Sequence, residues 1–166
     1  TNNGTFTGGT GTVDYSRAGT QNVRSGIDYK NLTLSNGANV KSLASGTTTV
    51  TGNLSVAAAL DVAGQTLTMG ASSDIAGAGT IQFTGGGTVN VGNTFTSIGT
   101  FTANTGTVVY NRSGDQTILA GKTYNNLTLS GSGTKTLGSG TTTVNGTCNV
   151  SAVLDVAGQT LTTGNS

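Results

Sequence analysis

The stretch Leu60-Asp61-Val62-Ala63-Gly64-Gln65-Thr66-Leu67-Thr68 decides the fold, because the same nine residues return unchanged at residues 154–162. The block Ser45-Gly46-Thr47-Thr48-Thr49-Val50 precedes the first copy and returns at residues 139–144. Self-similarity at a fixed period indicates a repeat architecture, which constrains the fold before any single residue is considered.

The repeat extends over most of the chain. Residues 5–7 match residues 100–102 at an offset of 95, and residues 29–35 match residues 124–130. One residue is lost near Ala38, and the offset is then 94 as far as Ser166. We therefore predict a single β-solenoid segment over residues 1–166, with repeat 1 at 5–99 and a truncated repeat 2 at 100–166. Since the chain begins and ends inside a repeat, we expect either an excerpt from a longer tandem array or a unit that continues end to end with copies of itself.

Apolar residues come in short bursts such as Leu60 with Val62, Ile81 with Phe83, and Val89 with Val91. Each burst alternates with Thr, Ser, Gln or Asn, which is the period-2 pattern of a half-buried strand. Three bursts to a turn give coils of roughly 20 residues. We therefore predict an all-β fold, a parallel β-helix (β-solenoid) of about eight coils built from two repeats of about 95 residues.

The composition supports this prediction and leaves two alternatives open. Proline, histidine, tryptophan and glutamate are absent, and 8% of the residues are charged. Stacked coils place like side chains about 4.8 Å apart, which suits ladders of Thr and Asn and disfavours like charges. One alternative is an immunoglobulin-like sandwich, which usually has a core tryptophan and prolines in its turns. The other is a disordered chain, although such chains seldom keep apolar residues at regular steps.

The charge distribution excludes several classes of partner. The formal net charge is +1, so we predict no nucleic-acid partner and no anionic membrane surface as a ligand. The longest apolar runs fall far short of the roughly 20 residues needed to span a bilayer, so we predict no membrane span. The basic residues are scattered, and we expect all of them on the solvated surface: Arg17, Arg24, Lys30, Lys41, Arg112, Lys122 and Lys135.

The residue types needed for catalysis are scarce, so we predict that the chain is not an enzyme and has no catalytic, cofactor-binding or metal site. There is no histidine, and the acids are Asp14, Asp28, Asp61, Asp74, Asp115 and Asp155. The repeated pair Asp61 and Asp155 should lie four or five coils apart, roughly 20 Å, too far for a glycosidase pair. We expect each aspartate to serve a turn. Cys148 aligns with Leu54 and is predicted to be a small buried hydrophobe without a disulfide.

Three further patterns could mark binding or modification. Asn-x-Ser/Thr sequons occur at Asn3, Asn31, Asn53, Asn111, Asn126, Asn145 and Asn149, and they are glycosylation candidates if the source glycosylates secreted proteins. Thr-x-Thr pairs resemble the threonine arrays of ice-binding solenoids and occur at 5/7, 10/12, 47/49, 66/68, 94/96, 100/102, 105/107, 141/143 and 160/162. The tyrosines repeat as Tyr15/Tyr110 and Tyr29/Tyr124, and we expect them to cap the core at corners rather than bind glycans.

The repeat also resembles known proteins. The run Gly-Thr-Val-x-Tyr, then Tyr-x-Asn-Leu-Thr-Leu-Ser, then Gly-Thr-Thr-Thr-Val, is similar in style to repeats of large secreted or surface proteins of bacteria, of the filamentous-haemagglutinin and autotransporter-adhesin type. This resemblance covers essentially the whole chain and implies an extracellular or cell-surface stalk, adhesin or filament without catalysis. The implied partner is another copy of the chain, end to end or lateral, or a surface or glycan ligand. The alternative is an ice- or glycan-binding module that uses a flat threonine-rich face.

Overall fold

The chain forms a parallel β-solenoid of about eight coils, as the sequence predicts, in a computed structural model that describes residues 6–37 and 39–164. This part of the chain contains 22 short strands and no helix. Every strand pair in it is parallel, which rules out the immunoglobulin-like sandwich. The structure shows no helix among these residues that is long and apolar enough to cross a membrane.

Each coil has three strand positions, which follow one another in a constant order. The first four coils contain β1 Thr12–Tyr15, β2 Gln21–Val23, β3 Asp28–Tyr29; β4 Asn31–Leu34, β5 Val40–Leu43, β6 Thr47–Val50; β7 Leu54–Val56, β8 Ala59–Asp61, β9 Thr66–Met69; β10 Ile75–Ala76, β11 Thr80–Gln82 and β12 Thr88–Val91. The last four contain an isolated bridge at Phe95, β13 Thr100–Thr102, β14 Thr107–Tyr110; β15 Gln116–Ile118, β16 Thr123–Tyr124, β17 Asn126–Leu129; β18 Thr134–Leu137, β19 Thr141–Val144, β20 Cys148–Val150; β21 Val153–Asp155 and β22 Thr160–Thr163.

The three strand positions build three faces of a prism. Face 1 contains β1, β4, β7 and β10, and face 2 contains β2, β5, β8, β11 and β13. Face 3 is one seven-stranded sheet in the order β3-β6-β9-β12-β14-β17-β20. Because the winding order is constant, the sheet β15-β18-β21 continues face 1 and the sheet β16-β19-β22 continues face 2.

Alternation of side chains along each strand produces the core. In β4 the inward residues Leu32 and Leu34 are fully buried, while Asn31 and Thr33 on the outer side are partly exposed. Tight corners separate the strands: Ala63 and Gly64 both have positive φ (53° and 73°), and Gln65 N–H bonds to the Val62 carbonyl at 2.9 Å. Glycine adopts this conformation freely, so the repeated Ala-Gly pair marks a corner.

The second repeat is rotated about the axis relative to the first. From β1 to its sequence equivalent β14 there are 14 strand positions, counting the bridge at Phe95, which is four coils of three plus two faces. Consequently β6 and β9 lie on face 3, whereas their equivalents β19 and β22 continue face 2. Identical sequence therefore projects from different sides of the solenoid.

Strand pairing is interrupted on two faces where the repeats meet. Face 3 pairs continuously through β12, β14 and β17, but β13 ends its sheet and Phe95 forms only one bridge, to Ile75. Aromatic rings occupy the core at this level, with Phe101 centred 5.8 Å from Phe83 and 5.3 Å from Tyr124. The interruption of faces 1 and 2 therefore coincides with a cluster of aromatic rings in the core.

Candidate functional site

Face 3 presents two outward columns of threonine and asparagine, which we call the threonine–asparagine face. Backbone register aligns the members of each column across successive coils. The first column is Thr47, Thr66, Thr88, Thr107 and Asn126; the second is Thr49, Thr68, Asn90, Val109, Thr128 and Asn149. Val109 interrupts the second column, and register continues that column beyond Thr49 to the exposed Asp28 of β3.

Neighbouring coils are linked through these columns, as the predicted Thr and Asn ladders require. Asn90 Nδ2 donates to Thr68 Oγ1 at 3.3 Å, and Asn126 Nδ2 donates to Thr107 Oγ1 at 3.4 Å. Rows along the axis repeat at about 4.8 Å, and the two columns lie about 6.6 Å apart along a strand. Such a surface can bind an extended polar partner through many weak hydrogen bonds.

The Thr-x-Thr pairs do not share one face. The pairs 47/49 and 66/68 lie on face 3, whereas 100/102, 141/143 and 160/162 lie on face 2 or its continuation. The pair 94/96 flanks Phe95 on face 1, while 10/12 and 105/107 each place one threonine in a corner. Thr5 lies outside the described residues. The Thr-x-Thr pairs therefore do not form a single array, because the second repeat is rotated, and face 3 combines threonines from unrelated positions instead.

Asp61 serves a corner, as expected. Its Oδ1 accepts N–H bonds from Ala63 at 2.9 Å and Thr84 at 3.0 Å, and Gln82 Nε2 donates to Oδ2 at 3.3 Å. In repeat 2, Asp155 Oδ1 accepts from Ala157 N–H at 2.8 Å. The two aspartates lie on different faces and do not form a pair.

Asp74 belongs to a polar network along a corner of face 1. Its Oδ1 accepts from the Thr94 side chain and N–H and from Asn93 Nδ2, and Asn93 in turn accepts from Arg112. The hydrogen bond from the Thr94 side chain is the largest cause that holds the pKa of Asp74 below its usual value; burial opposes this shift. In the described ranges no three Asp, Cys or His side chains gather as a metal site would require.

Two lysines are buried, so the prediction that all basic residues are solvated is wrong for them. Lys41 is 0% exposed, and its Nζ donates to the carbonyls of Arg17 (2.7 Å) and Gly19 (3.2 Å) and to Gln21 Oε1 (2.9 Å). No acid takes part in these contacts. The ammonium group is held by a cage of oxygens at a corner of the coil below.

The second repeat builds a similar cage, in which two of the three oxygens correspond. Lys135 is also 0% exposed, and its Nζ donates to the carbonyls of Arg112 (2.8 Å), Gly114 (2.9 Å) and Ser132 (3.0 Å). Burial lowers the pKa of the Lys135 side chain; the Asp115 carboxylate opposes this shift and the Arg112 guanidinium adds to it. The alternation along β5 could have predicted the burial of Lys41, because Lys41 lies two residues before the inward Leu43 and therefore points to the same side of the strand.

The tyrosines cap corners, in agreement with the sequence prediction. The Tyr29 hydroxyl donates to the Arg24 carbonyl at 2.8 Å, and the Tyr15 hydroxyl accepts the Arg24 N–H at 3.0 Å. In the second repeat, the Tyr124 hydroxyl donates to the Leu119 carbonyl at 2.6 Å, and the Tyr110 hydroxyl accepts the Leu119 N–H at 3.0 Å.

Burial of these rings shifts their ionisation. Burial raises the pKa of Tyr110 to about 12 and also raises the pKa values of Tyr29 and Tyr124. Since Tyr29, Tyr110 and Tyr124 are at most 1% exposed, their rings are not accessible for glycan stacking.

The sequon asparagines fall into two groups. Asn53, Asn111, Asn145 and Asn149 are exposed, whereas Asn31 and Asn126 are partly buried and Asn3 lies outside the described residues. Asn31 Oδ1 accepts the Asn53 N–H, and Asn126 Oδ1 accepts the Thr147 N–H, both at 3.0 Å. A glycan on either of these two would compete with a contact between coils.

Cys148 is less buried than predicted. It pairs with Leu127 in face 3 and packs against the core while remaining partly exposed, and its burial raises the pKa of the thiol. Its equivalent Leu54 is 1% exposed because a further coil covers it.

Comparisons of the chain with protein-family models, with characterised proteins and with solved structures found no significant match.

Proposed function

We propose that the chain is a structural, extracellular β-solenoid, a stalk or adhesin segment or the subunit of a self-assembling filament, without catalysis. The observation that carries this proposal is the seven-stranded ladder of face 3, which pairs without a break along the axis. The hydrogen bonds of this ladder run along the solenoid axis and join successive coils into one rod, which fits a structural role. The resemblance of the repeat to surface-protein repeats supports the extracellular setting.

The polar side chains support the same proposal. Three polar side chains form hydrogen bonds with the backbone of the solenoid itself: Asp61, Lys41 and Lys135. These contacts join successive coils and support a scaffold role for the three side chains. A mechanical role accounts for them without any further site.

Self-association is supported by a group of exposed valines in β20 and β21 and the corner that follows β21. Val150, Val153 and Val156 are 44%, 64% and 44% exposed, which makes them the largest exposed apolar side chains in the described ranges apart from Phe6. An exposed parallel strand edge beside exposed valines favours pairing with a further strand edge. We expect copies of this chain to associate through these valines.

Sedimentation and electron microscopy test this proposal. The wild-type chain should sediment as larger species with rising concentration and form uniform fibres, whereas Val153→Lys should remain monomeric. Val109→Lys is the matched control, since Val109 faces outward on the side of the rod, and it should assemble like the wild type. A wild-type monomer at high concentration, or assembly unchanged by Val153→Lys, would contradict the filament.

The threonine–asparagine face favours a second candidate, binding of ice or a glycan. Thr66→Tyr places a bulky ring in the middle of this face, while Thr160→Tyr changes the identical local sequence on the continuation of face 2. If face 3 binds, Thr66→Tyr should abolish thermal hysteresis or glycan-array signal and Thr160→Tyr should not. Equal effects of the two variants, or no signal from the wild type, would exclude this candidate.

A further inference from the structure

A groove opens on face 1 where the repeats meet. It has a volume of about 340 Å³ and lies between residues 94–96 on one side and residues 117–120 on the other, with residues 138–139 at its end. Phe95 (3% exposed) and Ile118 (0%) form part of its apolar floor, and Thr96 and Thr117 stand exposed at its rims. We call it the junction groove.

Backbone groups face the groove from both sides. The Ile75 N–H donates to the Thr94 carbonyl, and the Ile75 carbonyl accepts the Thr96 N–H. Because backbone groups alternate in direction along a strand, the N–H and C=O of Phe95 point away from β10. The Ile118 carbonyl accepts the Gly138 N–H, so by the same alternation the N–H and C=O of Thr117 point away from β18. No residue among those described pairs with these four groups.

Side chains span the same gap at its two corners. Gln116 Nε2 donates to the carbonyls of Val91 (3.1 Å) and Gly92 (3.2 Å), and Lys122 Nζ donates to the carbonyls of Ile98 (3.0 Å) and Gly99 (3.1 Å). Since side chains rather than backbone bridge the two coils there, the gap is wider than one strand spacing of about 4.8 Å. The corners are therefore closed while the strand-length middle stays open.

A second opening occurs at an equivalent level of repeat 1. A groove of about 490 Å³ lies between residues 6–8 and 24–28, which correspond to residues 101–103 and 119–123. The Phe6 and Tyr29 rings meet there at 6.0 Å, as their equivalents Phe101 and Tyr124 do at 5.3 Å. The same pair of aromatic rings therefore meets at this level of both repeats.

We propose that the junction groove binds an extended peptide strand of a partner protein. Two facing strand edges with free N–H and C=O groups are the chemistry that strand addition uses, and the apolar floor accepts alternate side chains. Small β-branched side chains suit a groove of this volume. This binding site would exist whether the rod acts as a stalk or as a filament.

The test uses the full chain and a synthetic six-residue peptide that alternates threonine and valine between terminal lysines. We expect binding in NMR titrations, with the largest amide shifts and the greatest hydrogen-exchange protection at Phe95 and Thr117. The same peptide with N-methylated alternate amides should bind at least tenfold more weakly. Thr117→Pro removes an N–H that β18 does not use, and it should weaken binding to a similar extent.

Three results would overturn the proposal. These are no binding at millimolar peptide, protection confined to the edge amides of β20–β22, and shifts at Phe95 and Thr117 with a cello- or xylo-oligosaccharide but not with the peptide. The N-methylated peptide acts on the unaltered chain, so the outcome does not depend on whether Thr117→Pro folds. Fibre formation is scored separately, which keeps this test distinct from that of the mechanical role.

Discussion

Repeat 1 and repeat 2 build the same local contacts on different faces of the solenoid. The cage around Lys41 on face 2 recurs around Lys135 on the continuation of face 1, and the corner at Ala63 recurs at Ala157. The surroundings differ: Asp61 is 7% exposed, whereas Asp155 is exposed. Contacts within one or two coils therefore recur wherever the same local sequence recurs. The face on which a residue lies depends on how many corners precede it, and the exposure of its side chain depends on the neighbouring coils.

The lysine cages allow the most disruptive test of this comparison. Lys41→Met and Lys135→Met each leave two carbonyl oxygens without a donor, those of Arg17 and Gly19 or of Arg112 and Gly114, and we expect each to lower the free energy of unfolding by about 3–5 kcal/mol. Lys30→Met is the control, since Lys30 is only partly buried, and it should change stability by about 0.5 kcal/mol or less. Urea denaturation measures all three. A loss below about 1 kcal/mol in either cage variant would show that the ammonium is dispensable.

Alkaline pH tests the buried tyrosines. The pKa of Tyr110 is raised from 10.0 to about 12, so its contribution to stability is complete below pH 10 and is lost as pH rises towards 12. Two pH units correspond to about 3 kcal/mol. Denaturation from pH 9 to 12 should show this fall, to which Tyr29 and Tyr124 add. Tyr110→Phe should flatten the pH dependence, and an unchanged slope would contradict the assignment.

The two equivalent aspartates sharpen the comparison. Asp61 accepts three hydrogen bonds and Asp155 accepts one, so Asp61→Ala should cost about 2–3 kcal/mol and Asp155→Ala about 1 kcal/mol or less. Asp61→Asn keeps an oxygen acceptor and should recover most of the loss. Thermal unfolding measures the three variants, and equal losses at the two sites would mean that the following coil contributes nothing.

The smallest effect is expected at the left-handed corners. Ala63 (φ 53°) and Ala157 (φ 49°) adopt a conformation that costs a non-glycine residue about 1–2 kcal/mol. Glycine removes this strain but loses more conformational entropy on folding. The net effect of Ala63→Gly or Ala157→Gly should be to raise the free energy of unfolding by about 0.5–1 kcal/mol. Ala59→Gly in β8 should destabilise by a similar amount. Unequal gains at the two corners in thermal unfolding would show that the strain is not local.

Much of the fold could be predicted from residue patterns. Alternation in stretches such as Asn31–Leu34 places the strands, and the repeated Ala-Gly pair places a corner, because both signals act over a few residues. The interpretation of all lysines as solvated failed because burial of Lys41 depends on carbonyls about 20 residues away, on the preceding coil. Candidate surfaces failed for a similar reason: Thr47, Thr88 and Thr107 share a column through register alone.

The sequence by itself determined the coil: a strand period of two, glycine corners that permit positive φ, and a side-chain inventory compatible with stacking at about 4.8 Å. Only the tertiary structure decided how the coils are phased. Because the strand positions between equivalent residues are not a multiple of three, each repeat turns to a new face. At the level of the Phe83, Phe101 and Tyr124 rings, faces 1 and 2 separate while face 3 stays paired. This difference arises between coils and is not visible within any one strand.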